Sequence, residues 1–211
     1  MVMALKPIYD LAKIKRVIVS TYQAVSGAGK EGIDELDAQV RDHSEGREMT
    51  ANILPSASAE KHYPIAFNLI PQIDVFCDNL YTKEEMKMVN ETKKIMEDYE
   101  MRITATTIRV PVYRSHSESV NIELEKEVDL GAMREALAKF PGVTVQDDPS
   151  KQEYPMPLYT SEKDDVYVGR LRRDESCEKS YNMWVVGDQI RKGAALNTLQ
   201  IAETMIKNGW I

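Results

Sequence analysis

Six runs rich in β-branched residues alternate with helical segments along this 211-residue chain. The first, residues 15–23 (KRVIVSTYQ), is almost continuously apolar or β-branched, which predicts a strand buried on both faces. Two further runs, 102–114 and 119–128, are separated only by SHSE and are predicted to pair as antiparallel neighbours. The other predicted strands are 143–146, 165–174 and 180–188. Together they favour an α+β fold with a large mixed sheet and flanking helices over a doubly wound parallel sheet.

The clearest predicted helix is 82–97, because Thr82 and Glu85 have the spacing of a capping box. Residues 47–61 are polar and aperiodic, which predicts a loop, and Pro71 argues against a regular helix over 66–76. The other predicted helices are 1–12, 32–46, 130–140 and 189–207.

Composition and charge exclude several classes of protein. The net charge of −7 disfavours nucleic acid as a general partner. The chain has neither an apolar run long enough to span a bilayer nor the pattern of a signal peptide, so a cytoplasmic protein without membrane contact is expected. Its two cysteines, Cys77 and Cys177, lie far apart with no histidine at ligand spacing, so neither a disulfide scaffold nor a metal site is predicted.

The segment 20–32 is the first candidate for chemistry. Gln23 ends the first predicted strand, and Gly27 and Gly29 would let backbone amides approach a ligand closely. The alternative is an ordinary strand end followed by a flexible turn. The segment lacks the upstream glycine and the following Ser or Thr of a phosphate-binding Walker loop, and the chain has no GxGxxG fingerprint.

A second candidate is the junction that contains Arg109, Arg114, His116 and Glu118. Histidine suits proton transfer near neutral pH, and arginine can bind a carboxylate or phosphate through two parallel hydrogen bonds. In a regular strand Arg109 and His116 would point to opposite faces, so they converge only if the chain bends near Pro111 or within SHSE. The alternative is a solvated hairpin tip.

Glu84 and Lys87 form the third candidate, at positions i and i+3 of the predicted helix 82–97. Most such pairs are surface ion pairs that contribute a few tenths of a kcal/mol. Their sequence pattern alone therefore leaves a structural and a functional reading open.

Six blocks of sequence, in order, resemble bacterial aspartate-semialdehyde dehydrogenases. The blocks are STYQAVSGAGKEGIDEL, AFNLIPQID, YTKEEMKMVNETKKIM, RVPVYRSHSESVNIE, DDVYVGRLRRDES and VVGDQIRKGAALNTLQIAE. The resemblance implies a fold like the C-terminal domain of glyceraldehyde-3-phosphate dehydrogenase-type enzymes. It also implies the conversion of aspartate semialdehyde, phosphate and NADP to aspartyl phosphate and NADPH, a step towards lysine, threonine and methionine.

The resemblance implies roles for five residues around the substrate. His116 matches the acid–base histidine, and Gln23 matches the glutamine that orients the substrate. Arg109 matches the arginine that binds the α-carboxylate, Glu84 the group that reaches the amino group, and Lys87 a lysine of the phosphate site. For the cofactor, NADP, the resemblance implies contacts near the nicotinamide from Ser26, Gly27 and Asn197.

The same resemblance places the nucleophilic cysteine a few residues before Met1, and the NADP-binding domain also outside this sequence. It divides the chain into a helix (1–14), a catalytic and dimerisation domain (15–188), and a C-terminal helix (189–211) that packs on the NADP-binding domain. We therefore expect a homodimer without oxidoreductase activity of its own. Apolar residues of the two terminal helices are expected to be exposed, namely Leu5, Ile8, Leu199 and Ile201.

The sequence leaves two alternatives open. One is a non-catalytic dimerisation or binding module of the same family. The other is the related acetylglutamyl-phosphate reductase, which STYQAVSGAG and RVPVYRSHSE fit less well.

Overall fold

The computed structural model describes all of residues 1–211 and confirms the α+β fold, with one mixed six-stranded sheet in the order β2-β1-β3-β6-β5-β4. The strands are β1 (Ile14–Gln23), β2 (Arg102–Arg109), β3 (His116–Leu124), β4 (Val143–Val145), β5 (Val166–Arg173) and β6 (Ser180–Gly187). The α-helices are α1 (Val2–Leu11), α2 (Gly29–Ser44), α3 (Lys83–Met96), α4 (Leu130–Lys139), α5 (Pro157–Thr160) and α6 (Leu196–Lys207). None of these helices combines the length and apolarity needed to cross a bilayer.

The predicted pairing of 102–114 with 119–128 is wrong, because β1 lies between β2 and β3. β2 runs parallel to β1, and β3 runs antiparallel to it on the other side. The connection 110–115 passes over the end of β1, where the amides of Val25 and Ser26 donate to the carbonyls of Val112 and Tyr113. Two strand spacings are about 10 Å, which six residues span easily, so a short connection did not require direct pairing.

The prediction that 15–23 is buried on both faces is also wrong. Val17, Val19 and Thr21 are buried, whereas Ile18, Ser20 and Tyr22 remain partly exposed. The helices α1, α3 and α4 cover one face of the sheet, so the alternation of side chains along β1 appears as an alternation of burial.

The main core lies between that covered face and the helices α1, α3 and α4. Leu5 and Ile8 of α1 are fully buried in it, together with Met133 and Leu137 of α4. The expectation that Leu5 and Ile8 would be exposed is therefore wrong. α1 was expected to pack on another domain, but its apolar stripe packs on this sheet instead.

For the C-terminal helix, the expectation that Leu199 and Ile201 would be exposed is confirmed. Leu199 is 64% and Ile201 53% exposed, and α6 has no buried residue. A turn of π-helix at Arg191–Ala195 leads into it.

The region between α2 and α3 is irregular, as expected for 47–61 and 66–76. The fully buried Gln39 of α2 holds it in place: its Oε1 accepts from the amides of Ile65 and Ala66, and its Nε2 donates to the carbonyl of Thr50. Behind these contacts a second apolar cluster, which includes Val25, Leu36 and Ile70, supports the end of β1.

Candidate active site

Most of the residues singled out from the sequence meet at one edge of the sheet. β1 ends at Gln23 and β2 at Arg109, and these two residues are register partners. β3 begins at His116, which pairs with Gly187 at the end of β6. Because side chains alternate along strands in register, Gln23, Arg109 and His116 project from the same, helix-covered face.

The bend that was required for Arg109 and His116 to converge is present. Ser115 adopts a left-handed conformation with φ of 69°, directly before β3. Arg109 and His116 then lie on two different strands, with β1 between them, and the odd sequence separation no longer places them on opposite faces. The alternative of a solvated hairpin tip is therefore excluded.

Gly27 lies at the centre of this arrangement, within a short turn of 3-10 helix at Val25–Ala28. A methyl group built on Gly27 would lie 2.7 Å from Nη1 of Arg109 and 3.4 Å from Cε1 of His116. The absence of a side chain is what allows both groups to approach this turn so closely.

Arg109 is almost completely buried, with 3% of its surface exposed. Its Nη1 donates to the carbonyl of Ala24 at 2.7 Å, while its buried Nε has no partner in the chain. Burial lowers the pKa of Arg109 to about 10, an effect that the nearby Glu84 partly opposes. The guanidinium remains charged at neutral pH and has a free donor for an anionic group.

His116 is held by the backbone of the same turn. Its Nδ1 accepts a hydrogen bond from the amide of Ala24 at 3.0 Å. Burial and the neighbouring positive charge of Arg109 lower the pKa of His116 to about 3. A neutral imidazole that accepts at Nδ1 carries its proton on Nε2, the nitrogen 3.5 Å from the methyl position of Gly27.

Glu84 connects the end of β1 to the first turn of α3. Its Oε1 accepts from Nε2 of Gln23 at 3.3 Å, and its Oε2 pairs with Nζ of Lys87 at 3.1 Å. The hydroxyl of Thr21 donates to the other side of the Gln23 amide. The hydrogen bond and the charge of Glu84 raise the pKa of Lys87. Glu84 and Lys87 thus form an ion pair, as expected for a purely structural role. Glu84 also contacts Gln23, which belongs to the candidate site.

A cavity of about 630 Å³ opens beside His116. His116 and Asn197 both line it, which brings a residue of α6 to the edge of the sheet. Ser26 lies behind the cavity wall, and Gly27 is next to the imidazole. Glu84 and Lys87 line an adjoining groove that shares Glu118 with this cavity.

Gln189 is a residue of this region that the sequence did not single out. Its Oε1 accepts from the amide of Ser115 at 3.1 Å, and its Nε2 donates to the hydroxyl of Ser26. It therefore connects the turn that carries Gly27 to the residue before His116. A polar residue directly after a predicted strand was the only signal, and assigning it to the final helix concealed its role.

The neighbouring Asp188 is fully buried and fixes the start of the chain that leads into α6. Burial alone would raise its pKa, but hydrogen bonds from the amides of Glu162, Arg191 and Ile190, and the charge of Arg114, outweigh this effect and lower it. Nη2 of Arg114 lies 3.0 Å from the Asp188 carboxylate. Arg114, the second arginine of the junction, thus has a structural role.

Neither cysteine lines the cavity beside His116. Cys177 is exposed in the connection between β5 and β6, at the opposite end of β6 from Gly187. An eight-residue strand separates these ends by roughly 25 Å. Cys77 lies before α3, where its amide donates to the carbonyl of Tyr81.

Comparison with known proteins assigns this arrangement to a family. A family model described as "Semialdehyde dehydrogenase, dimerisation domain" matches residues 5–192. The chain belongs to the semialdehyde dehydrogenase family. It is 53% identical over its whole length to an aspartate-semialdehyde dehydrogenase of Aquifex aeolicus, and 50% identical over 98% of its length to one of Bacillus subtilis.

The chain spans about 60% of the length of these two relatives and corresponds to their C-terminal part. Solved structures of semialdehyde dehydrogenases have the same fold. Aspartate semialdehyde dehydrogenase II of Vibrio cholerae superposes with a TM-score of 0.92 at 44% identity, covering 98% of this chain and 59% of that one. A structure of that enzyme complexed with ASA gives a TM-score of 0.90 at 44% identity, covering 97% of this chain and 58% of that one.

Proposed function

We propose that this chain forms the substrate-binding and acid–base part of an NADP-dependent aspartate-semialdehyde dehydrogenase. The observation that carries the proposal is the convergence of Gln23, Arg109 and His116 around the glycine turn at Gly27. It combines a buried cation, a proton carrier and a polar amide at one edge of the sheet, and His116 is the one of the three that lines the cavity.

Arg109 and Glu84 suit the two charged ends of an amino acid. Nε of Arg109 is buried and has no partner in the chain, so a small turn of the guanidinium towards the cavity would let it donate to the α-carboxylate of the substrate. Glu84 is anionic and next to Gln23, so it can accept from the α-ammonium group. Lys87, held beside Glu84, is placed to bind phosphate as the second reactant.

His116 has the protonation state of a hydrogen-bond donor at neutral pH. Its Nε2–H can bind the carbonyl oxygen of the semialdehyde and stabilise the negative charge that develops there when a thiolate attacks. For His116 to accept a proton at Nε2 as hydride leaves, the ring must carry its own proton on Nδ1 instead, and the hydrogen bond from the Ala24 amide is then lost. The amide of Gln23 is held by Thr21 and Glu84 and can orient the same substrate.

NADP, when bound, supplies the acceptor for hydride from the thiohemiacetal. Ser26, Gly27 and Asn197 are the residues that would contact it, and they lie around the cavity next to His116. The turn at Gly27 offers a close approach, and Asn197 offers a side-chain amide from α6.

The nucleophilic thiolate is proposed to come from a cysteine a few residues before Met1 in a longer chain. Met1 and Val2, at the start of α1, line the same cavity as His116, which supports this position. We accordingly propose that residues 1–14 continue the helix of the nucleophile, that 15–188 form the catalytic and dimerisation domain, and that 189–211 pack on an NADP-binding domain in a cytoplasmic homodimer.

The isolated chain provides a direct test. We expect aspartate semialdehyde to bind, as measured by calorimetry, and no NADPH to form with NADP and phosphate. Arg109→Lys should weaken binding about tenfold or more, because lysine cannot reproduce the planar donors of arginine. NADPH formation by the isolated chain, or binding unaffected by the substitution, would overturn the proposal.

A second candidate function is a non-catalytic dimerisation module. The sheet face left open by the helices and the exposed α6 favour this reading. Formation of mixed dimers with a full-length relative, without any binding of semialdehyde to this chain, would support it instead.

A further inference from the structure

Glu85 is a buried carboxylate next to Glu84 that contacts none of Gln23, Arg109 and His116. It is 7% exposed and lies in the first turn of α3. The chain provides no cation for it. Both of its oxygens accept hydrogen bonds from backbone amides, Oε2 from Thr82 at 2.8 Å and Oε1 from Thr107 at 2.9 Å.

The two bonds serve different purposes. The contact with Thr82 completes the capping box of α3, which any exposed helix can have. The contact with Thr107 joins α3 to the outer edge of β2, two residues before Arg109. Because β2 is the last strand of the sheet, its outward amides need partners, and Ile70 supplies one for Arg109 in the same way.

This joint fixes Glu84 relative to the ends of the strands. Glu84 is the residue before Glu85, and its carboxylate reaches Gln23 at 3.3 Å and Lys87 at 3.1 Å. A shift of the first turn of α3 away from β2 would move Glu84 from Gln23 and Arg109 together with Lys87. Small displacements of groups that bind a substrate cause large losses, since hydrogen bonds depend steeply on distance and angle.

We propose that Glu85 is a positioning residue, which holds Glu84 and Lys87 at the substrate site by binding the amide of Thr107. Its negative charge is essential, since a carboxylate accepts from both amides, whereas a glutamine amide presents a donor to one of them. The role in substrate recognition rests on the proposed function, but the placement of Glu84 does not.

The test compares Glu85→Gln with Thr82→Ala in the chain itself. Thr82→Ala removes the other half of the capping box and a 3.4 Å contact between the hydroxyls of Thr82 and Thr107, but it leaves the bond from Glu85 to the Thr107 amide intact. Four quantities are measured by NMR and calorimetry: hydrogen exchange at the Thr107 amide, the side-chain amide resonances of Gln23, the pKa of Lys87, and the affinity for aspartate semialdehyde.

Glu85→Gln should speed exchange at Thr107 about tenfold, shift the Gln23 side-chain amide, lower the pKa of Lys87, and weaken semialdehyde binding about tenfold. Thr82→Ala should leave the Gln23 resonances unchanged and the affinity within about twofold. Unchanged Gln23 and Lys87 signals in Glu85→Gln would overturn the inference, as would equal effects of both variants. Shifted Gln23 and Lys87 signals in a chain whose wild type binds no semialdehyde would support the positioning role and refute the proposed substrate. Glu85→Asp, which keeps the charge but shortens the reach, provides the same comparison if Glu85→Gln does not fold.

Discussion

The backbone amide of Ala24 donates to Nδ1 of His116 at 3.0 Å. A backbone amide cannot give up its proton, so this contact selects the neutral imidazole with its proton on Nε2. The chain contains only three histidines, which makes the prediction accessible to nitrogen-15 NMR of the imidazole rings. We expect one ring, lost from the spectrum in His116→Asn, to remain in the Nε2–H form down to about pH 3. A ring of His116 that titrates near its usual value of about 6.5 would contradict this account.

The same pKa has a consequence for stability. Because the pKa of His116 is lower in the folded chain than in the unfolded one, the unfolded chain binds more protons between about pH 6.5 and pH 3. Protonation of His116 therefore leaves the free energy of unfolding unchanged above about pH 6.5. It lowers this free energy as the pH falls through the range. His116→Asn should have a shallower dependence on pH than the wild type in urea unfolding.

Gln189→Ala should loosen the position of His116. The substitution leaves the amide of Ser115 without its partner and releases the hydroxyl of Ser26. We expect a loss of about 1–3 kcal/mol in the free energy of unfolding and a rise in the pKa of His116 towards its usual value. Gln200→Ala, on α6, is the control, since its side chain bonds to Lys192 and to neither serine. Equal histidine titrations in the two variants would count against the role of Gln189.

Gly27→Ala tests the close approach at the glycine turn. The added methyl would meet Nη1 of Arg109 at 2.7 Å, so the guanidinium must leave the carbonyl of Ala24. We expect semialdehyde affinity to fall about tenfold or more, measured by calorimetry. The control is Gly29→Ala, which strains the backbone at φ of 81° but meets no atom within 4 Å. If the two variants bind the semialdehyde equally well, the proposed approach of the substrate to Arg109 is refuted.

Leu5→Ala and Leu199→Ala distinguish the two terminal helices. Leu5 is fully buried, so its truncation should cost about 2–5 kcal/mol of unfolding free energy. Leu199 is 64% exposed, and its truncation should change the stability by less than about 0.5 kcal/mol. Chemical denaturation of the two variants measures both values, and equal losses would show that α6 packs on the sheet in solution.

The sequence predicted which segments become strands and helices, since local periodicity and capping act over a few residues. The capping box of Thr82 and Glu85 and the stop at Pro141 are examples, and the structure confirms both helix boundaries within a residue or two. The predictions from sequence were wrong where the fold depends on contacts between segments that are distant in the chain. The insertion of β1 between β2 and β3, and the packing of Leu5, are decided by the sheet as a whole.

The candidate site shows the same limit. Arg109 and His116 could be named from their chemistry, but their convergence required the left-handed Ser115 and the intervening strand. Gln189 could not be found, because its two hydrogen bonds join segments more than seventy residues away in the chain. Glu85 had the local signal of a helix cap, which concealed its bond to Thr107.

We propose that this chain supplies the part of an aspartate-semialdehyde dehydrogenase that recognises the substrate and carries the acid–base group. The most direct measurement uses a chimera in which the N-terminal part of the Aquifex aeolicus relative, which lies outside the matched region, precedes residues 1–211. NADPH formation by this chimera is followed with aspartate semialdehyde, phosphate and NADP. We expect phosphate-dependent activity that falls about a hundredfold or more in His116→Asn. A folded chimera without activity, or one whose activity does not depend on His116, would contradict it.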